Sequence, residues 1–250
     1  MTEASLSAGA FTEADFSAGR ALERTWSVLS RNFPAFFVVT VIASLPKYLF
    51  TFGVIPAPDH WLQALLLTIF ATSLWVVIAT LSQAMVLYGA FQAMRGRGFG
   101  VGESLRLGSR RIFAVIGVAI TLMLFGSLGL IVFVVPGLMF FAMSFVALPA
   151  CVVEERGVSS SMTRSAQLTK GHRWKMFALM MLIYIVDTIV DGTIDQILGS
   201  AESGIPAFAG HMVWSAIRGA FYAILVVVTY HDLRVAKEGI DTAGIAAVFE

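Results

Sequence analysis

Residues 112–153 read IFAVIGVAITLMLFGSLGLIVFVVPGLMFFAMSFVALPACVV, 42 consecutive residues without one charged side chain. A helix needs roughly 20 mostly apolar residues to cross a hydrocarbon core of about 30 Å. The stretch is too long for one crossing and suits two. Pro136-Gly137 is the strongest turn signal inside it, giving spans Ile112–Val134 and Gly137–Val153, with Gly126 to Gly129 as a weaker alternative turn.

On either side lie further runs of the same kind. Phe33–Phe52 is one, with Pro46 and Lys47 near its far end. Trp61–Leu87 is another, able to continue as helix to Met94, and Trp174–Val190 and His211–Tyr230 complete the set. The expectation is an all-α membrane protein with six transmembrane helices. A barrel would instead need alternating segments of about ten residues. Composition agrees: 58% of the 250 residues are hydrophobic and 13% charged, where a soluble domain is nearer one quarter charged. The first fifteen residues carry Glu3, Glu13 and Asp15 and lack the basic start and apolar middle of a secretory signal. They read as a mobile segment, 1–15, ahead of a single membrane domain, 16–250.

The basic residues set an orientation. Arg20, Arg24 and Arg31 precede the first span, and Arg95, Arg97, Arg106, Arg110 and Arg111 lie between spans two and three. Arg156, Arg164, Lys170, Arg173 and Lys175 lie between spans four and five, with Arg234 and Lys237 after span six. These are 15 of the 17 Lys and Arg residues, and a six-span arrangement puts all of them on one side. The opposite loops hold Asp59, Asp195 and Glu202 and no Lys or Arg. The positive-inside rule makes the basic side cytoplasmic, so both termini are expected inside. Every basic cluster flanks an apolar run, so nucleic acid is not an expected partner.

Each cytoplasmic entry has a similar pattern. Ala18, Leu22, Trp26, Leu29 and Phe33 fall at helical spacing around Arg20, Glu23 and Arg24. Val101, Leu105 and Ile112 repeat this around Glu103, Arg106 and Arg110, and Val158, Met162, Ala166 and Trp174 do so around Arg164 and Lys170. Arg24-Thr25 and Arg164-Ser165 occupy matching places, and each unit closes on charge followed by glycine: Arg95-Gly96-Arg97-Gly98, Glu154-Glu155-Arg156-Gly157 and Lys237-Glu238-Gly239. The pattern suggests three repeats, 16–98, 99–157 and 158–239, each an interfacial amphipathic helix followed by a helical hairpin. Such helices lie among headgroups with arginines toward anionic lipid. The alternative is that any membrane entry favours aromatic and basic residues.

The segment Val135–Gly171, VPGLMFFAMSFVALPACVVEERGVSSSMTRSAQLTKG, contains Pro136-Gly137, Leu148-Pro149, Glu154 with Gly157, and Arg164-Ser165 with Leu168 and Gly171. Together with Tyr230-His231-Asp232-Leu233-Arg234 and Lys237-Glu238-Gly239, it resembles the membrane domain of the glycerophosphoryl diester phosphodiesterase family and its free-standing bacterial relatives. In the fused enzymes hydrolysis belongs to a separate soluble barrel. The resemblance therefore implies a membrane module without the enzyme and implies no diesterase activity.

Asp187, Asp191 and Asp195 share one helical face in and beyond span five. At 1.5 Å per residue Asp187 lies about 20 Å from the inner end of its span, and Arg218 about 10 Å from the outer end of span six. The two therefore sit at similar depth, where an unpaired charge is costly. An outward-facing cation or substrate site is one reading. An ion pair between Asp187 and Arg218 with a solvated acidic rim, Asp191 and Asp195, is the preferred one, since arginine would neutralise a cation site. Ser215, Gly219 and Ala223 form a small-residue stripe suited to close helix packing.

Other chemistry is poorly represented. Cys151 is single and ends an apolar run, so it reads as a packed hydrophobe. The four histidines lack metal-ligand spacing. Gly96, Gly98, Gly100 and Gly102 alternate, which is no dinucleotide fingerprint. Ser159, Ser160 and Ser161 have no nearby base. The expectation is a protein without catalytic site, cofactor or metal. It would serve as a scaffold or accessory module that contacts anionic lipid through Arg20, Arg24, Arg106 and Arg164, with protein partners or self-association also open. A transporter or channel for a lipid-like or small solute is the alternative.

Overall fold

The structure is a computed structural model that describes residues 16–51, 60–94, 102, 112–132, 134–200 and 203–238. The segment 1–15, residues Asp59, Arg95, Arg97, Arg106, Arg110, Arg111 and Glu202, almost all of the entry Val101–Arg111, and Gly239 lie outside the described residues, as does the side chain of Lys47. Among the described residues the regular structure is entirely helical. The helices are α1 (Ala18–Arg31), α2 (Phe33–Thr51), α3 (Trp61–Met94), α4 (Ile112–Val132), α5 (Val134–Met143), α6 (Ala147–Val153), α7 (Val158–Thr169), α8 (Arg173–Leu198) and α9 (Ile205–Glu238).

Among the described residues five segments are long and apolar enough to cross a membrane: Val77–Met94, Phe113–Ile131, Val134–Val153, Arg173–Leu198 and Ile205–Glu238. A sixth arises if Ala18–Arg31 and Phe33–Leu45, which meet at 90°, are taken together. The outward faces of these helices are apolar. Phe113 and Ile131 are 87% and 80% exposed, and Trp61, Trp174, Ile197 and Ile205 are similarly bare. Soluble monomers rarely expose contiguous apolar surface on this scale.

The organising element is α9. From Ala223 to His231 every residue is buried, as expected of a helix wrapped on all sides by others. It packs against α1, α2, α3 and α8 along its length, and against α6 and α7 near its end. The small residues Ala216, Ala220 and Ala223 are buried along it, and Gly219 faces Thr40 of α2. Helix α8 is the opposite case: Met176 and Leu179 are its buried residues, and most of its length is bare.

The central hairpin departs from the sequence expectation at both of its proline sites. Pro136 does not end a span. It sits in the first turn of α5, where a missing N–H costs nothing, and the chain turns back just before it. Gly126 and Gly129 are not a turn but the packing seam of α4 on α5. A β-carbon on Gly137 would lie 2.5 Å from the Leu130 nitrogen, and one on Gly126 would strike the Phe141 ring.

The second departure is a break at Ser144–Val146, between α5 and α6. Pro149 explains it, although Pro149 itself lies within α6. A helical proline offers no N–H to the carbonyl four residues earlier and its ring crowds that carbonyl, which here belongs to Phe145. The backbone groups freed by the break are taken up by α7. Ser165 donates to the Met143 carbonyl at 2.7 Å and accepts from the Val146 N–H at 3.2 Å. Thr169 also reaches the Met143 carbonyl, at 3.3 Å.

Helix α7 is therefore docked on the protein by its hydroxyl face, with Ser161, Ser165, Leu168 and Thr169 buried. Val158 and Met162 pack on Val115, Val118, Ala147 and Cys151. The expected apolar stripe turns toward protein here rather than lying free for lipid.

Candidate functional site

Charged side chains gather at the two ends of α9. The basic end is built around Glu154, the residue that follows α6. Its carboxylate accepts from Arg164 of α7 at 2.8 Å, from Arg156 at 2.5 Å and from the Tyr230 hydroxyl of α9 at 2.7 Å. Arg164 also donates to Glu238, which takes a second hydrogen bond from Arg234 at 2.9 Å. Lys237 donates to the Gln167 carbonyl at 2.6 Å. Glu154, Glu238, Arg156, Arg164 and Arg234 each face an opposite charge, whereas Lys237 meets only the carbonyl.

Burial pushes the Glu154 carboxyl up. The hydrogen bonds from Arg164 and Tyr230, with the Arg164 charge, outweigh that and hold it below the usual glutamate value. For Arg164 burial acts downward, and its bonds to Glu154 and Glu238 leave it above the ordinary arginine value. With its side chain 15% exposed, Arg164 has little surface left for the lipid contact expected of it.

Beside this cluster, α1 crosses the end of the bundle. Ala21, Thr25 and Leu29 are its buried residues. Arg24 donates to Asp232 of α9 at 2.5 Å, and the same carboxylate oxygen faces His231 Nδ1 at 3.3 Å. Two clefts flank this contact. The larger, of about 530 Å³, is bordered by Arg20, Glu23, Arg24 and Asp232. The smaller, of about 220 Å³, is bordered by Arg24, Ser27, Arg31, Asn32, Met94 and His231. Arg106, also expected to meet lipid, lies outside the described residues.

The opposite end is a ladder between α8 and α9. Arg218 lies 2.5 Å from Asp187, whose other oxygen accepts from Trp214 Nε1 at 3.0 Å. Asp191 and Asp195 keep side chains 53% exposed and also have a partner. Each faces one ring nitrogen of His211, Asp191 at 3.0 Å from Nδ1 and Asp195 at 3.1 Å from Nε2. The Tyr48 hydroxyl of α2 donates to the His211 carbonyl at 2.9 Å, tying a third helix to this level.

Between the two ends, Thr40, Ser44, Ser82, Gln83, Ser215 and Arg218 border a cavity of about 120 Å³ among α2, α3 and α9. Among the described residues no three His, Cys, Asp or Glu side chains are grouped as metal ligands. Cys151 is buried, with its thiol against the Arg156 carbonyl.

The residues that sequence reasoning passed over are His211, His231, Asp232, Ser165 and Glu154 as charge or hydrogen-bond centres. The available signal was that Glu154, Arg164-Ser165, Tyr230 and Glu238 belong to the two short segments singled out for their family resemblance. The fold brings those segments together. Neither the curated proteins nor the solved structures yield a match. A family model described as a domain of unknown function (DUF7847) matches residues 53–233, a range that includes Glu154, Arg164, Tyr230 and the α8–α9 ladder, and the chain belongs to that family.

Proposed function

We propose that this protein is a non-catalytic, six-span protein of the bacterial inner membrane that serves as a scaffold or accessory module in contact with anionic lipid. Both termini and the basic end face the cytoplasm in this reading. The family resemblance to the membrane domain of glycerophosphoryl diester phosphodiesterases and the three-unit repeat belong to the same proposal.

The observation that carries it is the setting of α1. This helix meets α2 at 90°, as a helix lying along a bilayer surface does where it joins a crossing one. Trp26 on one side is 64% exposed, and Arg20, Arg24 and Arg31 are exposed on the polar side. A basic, aromatic-bearing surface helix gains roughly 1 kcal/mol per Lys or Arg near an anionic surface. The repeat has parallel support: Arg24 and Arg164 both reach acidic residues near the end of α9, and the hydroxyls that follow them, Thr25 and Ser165, are both fully buried.

The test is native purification with quantification of bound phospholipid. Replacing Arg20, Arg24 and Arg106 by glutamine should lower the anionic fraction. Unchanged headgroup composition refutes the lipid role.

A transporter or channel for a small or lipid-like solute is the second reading. It is favoured by the polar cavity beside Arg218 and by the break at Ser144–Val146, since solute paths use polar groups and interrupted helices inside the bundle. Solute flux in proteoliposomes that is abolished by Arg218→Met supports this reading over the scaffold.

A further inference from the structure

The smaller cleft at the basic end is bordered by cationic and polar side chains, and among the described residues no carboxylate borders it. Arg24, Ser27, Val28 and Arg31 supply one wall from α1, at the i, i+3, i+4, i+7 spacing that aligns side chains on one helical face. Asn32 follows at the end of that helix. Ala93 and Met94 of α3 form the second wall, and His231 of α9 the third.

Two features of the walls suit an anionic ligand. Arg31 is exposed and makes no ion pair among the described residues. His231 is buried, with a side chain 8% exposed, and its Nε2 has no hydrogen-bond partner. A buried polar atom left without a partner costs free energy, and such atoms in native structures call for an explanation. The neighbouring Asp232 holds the Nδ1 side of the ring. Nε2 is thus the ring atom left without a partner beside the cleft. Arg24 is shared with Asp232 but keeps a side chain 60% exposed, so its remaining donors are free to turn toward the same space.

We propose that this cleft binds a phosphate group. The guanidinium of Arg31 supplies forked donors matched to phosphate oxygens, Arg24 a second cation, and Ser27, Asn32 and His231 hydrogen bonds that fix position. A volume of about 220 Å³ holds several water-sized groups, enough for a phosphate and the first atoms of what it carries. The site lies at the level where α1 crosses the bundle end. It deepens the lipid-contact reading above and rests on it for the source of the phosphate, a phospholipid headgroup.

The experiment uses the full chain purified in detergent, with dioctanoyl phosphatidylglycerol and inorganic phosphate as separate probes. Binding is followed by thermal stabilisation and titration. Loss of one charge-assisted contact should weaken binding about tenfold or more in Arg31→Gln. That variant alters an exposed, unpaired side chain and should fold normally; Lys170→Gln, exposed at the same end, controls for bulk charge and should bind as wild type. Tighter binding of the lipid than of free phosphate, lost in Arg31→Gln, supports a headgroup site, and the reverse order supports a site for soluble phosphate. Equal binding by Arg31→Gln and wild type overturns the proposal. Anionic lipid that still co-purifies with Arg31→Gln in that case leaves the broader lipid role standing. Wild-type protein that binds phosphate but carries no anionic lipid sinks the lipid role and keeps the site.

Discussion

The Tyr230 hydroxyl donates to the Glu154 carboxylate at 2.7 Å across 76 residues of chain. This bond joins the end of the broken helix to the buried stretch near the end of α9, and Arg164 completes it from α7. Three elements are thereby fixed at one point. Tyr230→Phe removes the hydrogen bond while leaving the ring against Phe91. A hydrogen bond to a charged group contributes about 1.5–3 kcal/mol, so the variant should lose stability of that order in detergent unfolding. A loss below about 0.5 kcal/mol, the range of neutral surface changes, would show the contact to be incidental.

The same carboxylate gives a pH dependence. Its folded pKa is depressed below the ordinary 4.5 because the bonds from Arg164 and Tyr230 outweigh burial. The unfolded state therefore binds the proton more readily, and the contribution is complete above the unfolded value. It is lost as pH falls through the lower folded value. Comparing wild type with Glu154→Gln isolates this term from the other carboxylates. The stability difference between them should be steady at about pH 6 and shrink below about pH 4.5. A difference that is flat to about pH 3 contradicts the assignment.

Ser165 carries the break in the fourth apolar segment. Ser165→Ala removes the acceptor of the Val146 N–H, while the Met143 carbonyl keeps Thr169 at 3.3 Å. Leaving a buried donor unsatisfied costs about 1–3 kcal/mol. Ser160→Ala, at an exposed position on the same helix, should change stability by less than about 0.5 kcal/mol. Similar effects from the two would mean that the break satisfies itself.

Reporter fusions check the orientation in the six-span proposal. Fusions after Gly98 and Gly157 should show cytoplasmic activity, and those after Asp59 and Gly204 should not. The reasoning is the segregation of 15 of the 17 basic residues and the positive-inside rule. A periplasmic signal at Gly157 removes the six-span arrangement.

The long apolar helices could be read from the chain because their signal is local. Hydropathy over about 20 residues decides each crossing segment, and a fixed rise per residue was enough to put Asp187 and Arg218 at one depth. What could not be read depends on partners distant in sequence or on effects displaced along the helix. Pro149 breaks its helix one turn upstream, so the proline marks the wrong residue. Ser165 looks like an idle hydroxyl until the Met143 carbonyl, 22 residues away, needs a donor. The contact of Asp191 and Asp195 with His211 was missed because span five was expected to end at Val190. Helix α8 runs on to Leu198 and carries both aspartates against His211.

The pair Asp187 and Arg218 gives the sharpest separation between a structural and a functional role. Their 2.5 Å contact lies on helices α8 and α9, beside the polar cavity, with Trp214 Nε1 bonded to the second oxygen of Asp187. Removing one partner of a fully buried pair leaves an uncompensated charge, which typically costs about 3–5 kcal/mol; with Arg218 39% and Asp187 23% exposed, a smaller loss is expected here. Removing both with apolar residues of similar size costs much less. Asp187→Leu and Arg218→Met should therefore each lower the melting temperature in detergent, and the double variant should recover much of the loss. Recovery should be incomplete, because the Trp214 N–H loses its acceptor whenever Asp187 is replaced. Trp214→Phe in the double background should then cost little further. If the two single losses simply add, the residues do not act as partners. If both single variants keep their stability while solute flux disappears, the pair serves the transport reading and the scaffold reading falls.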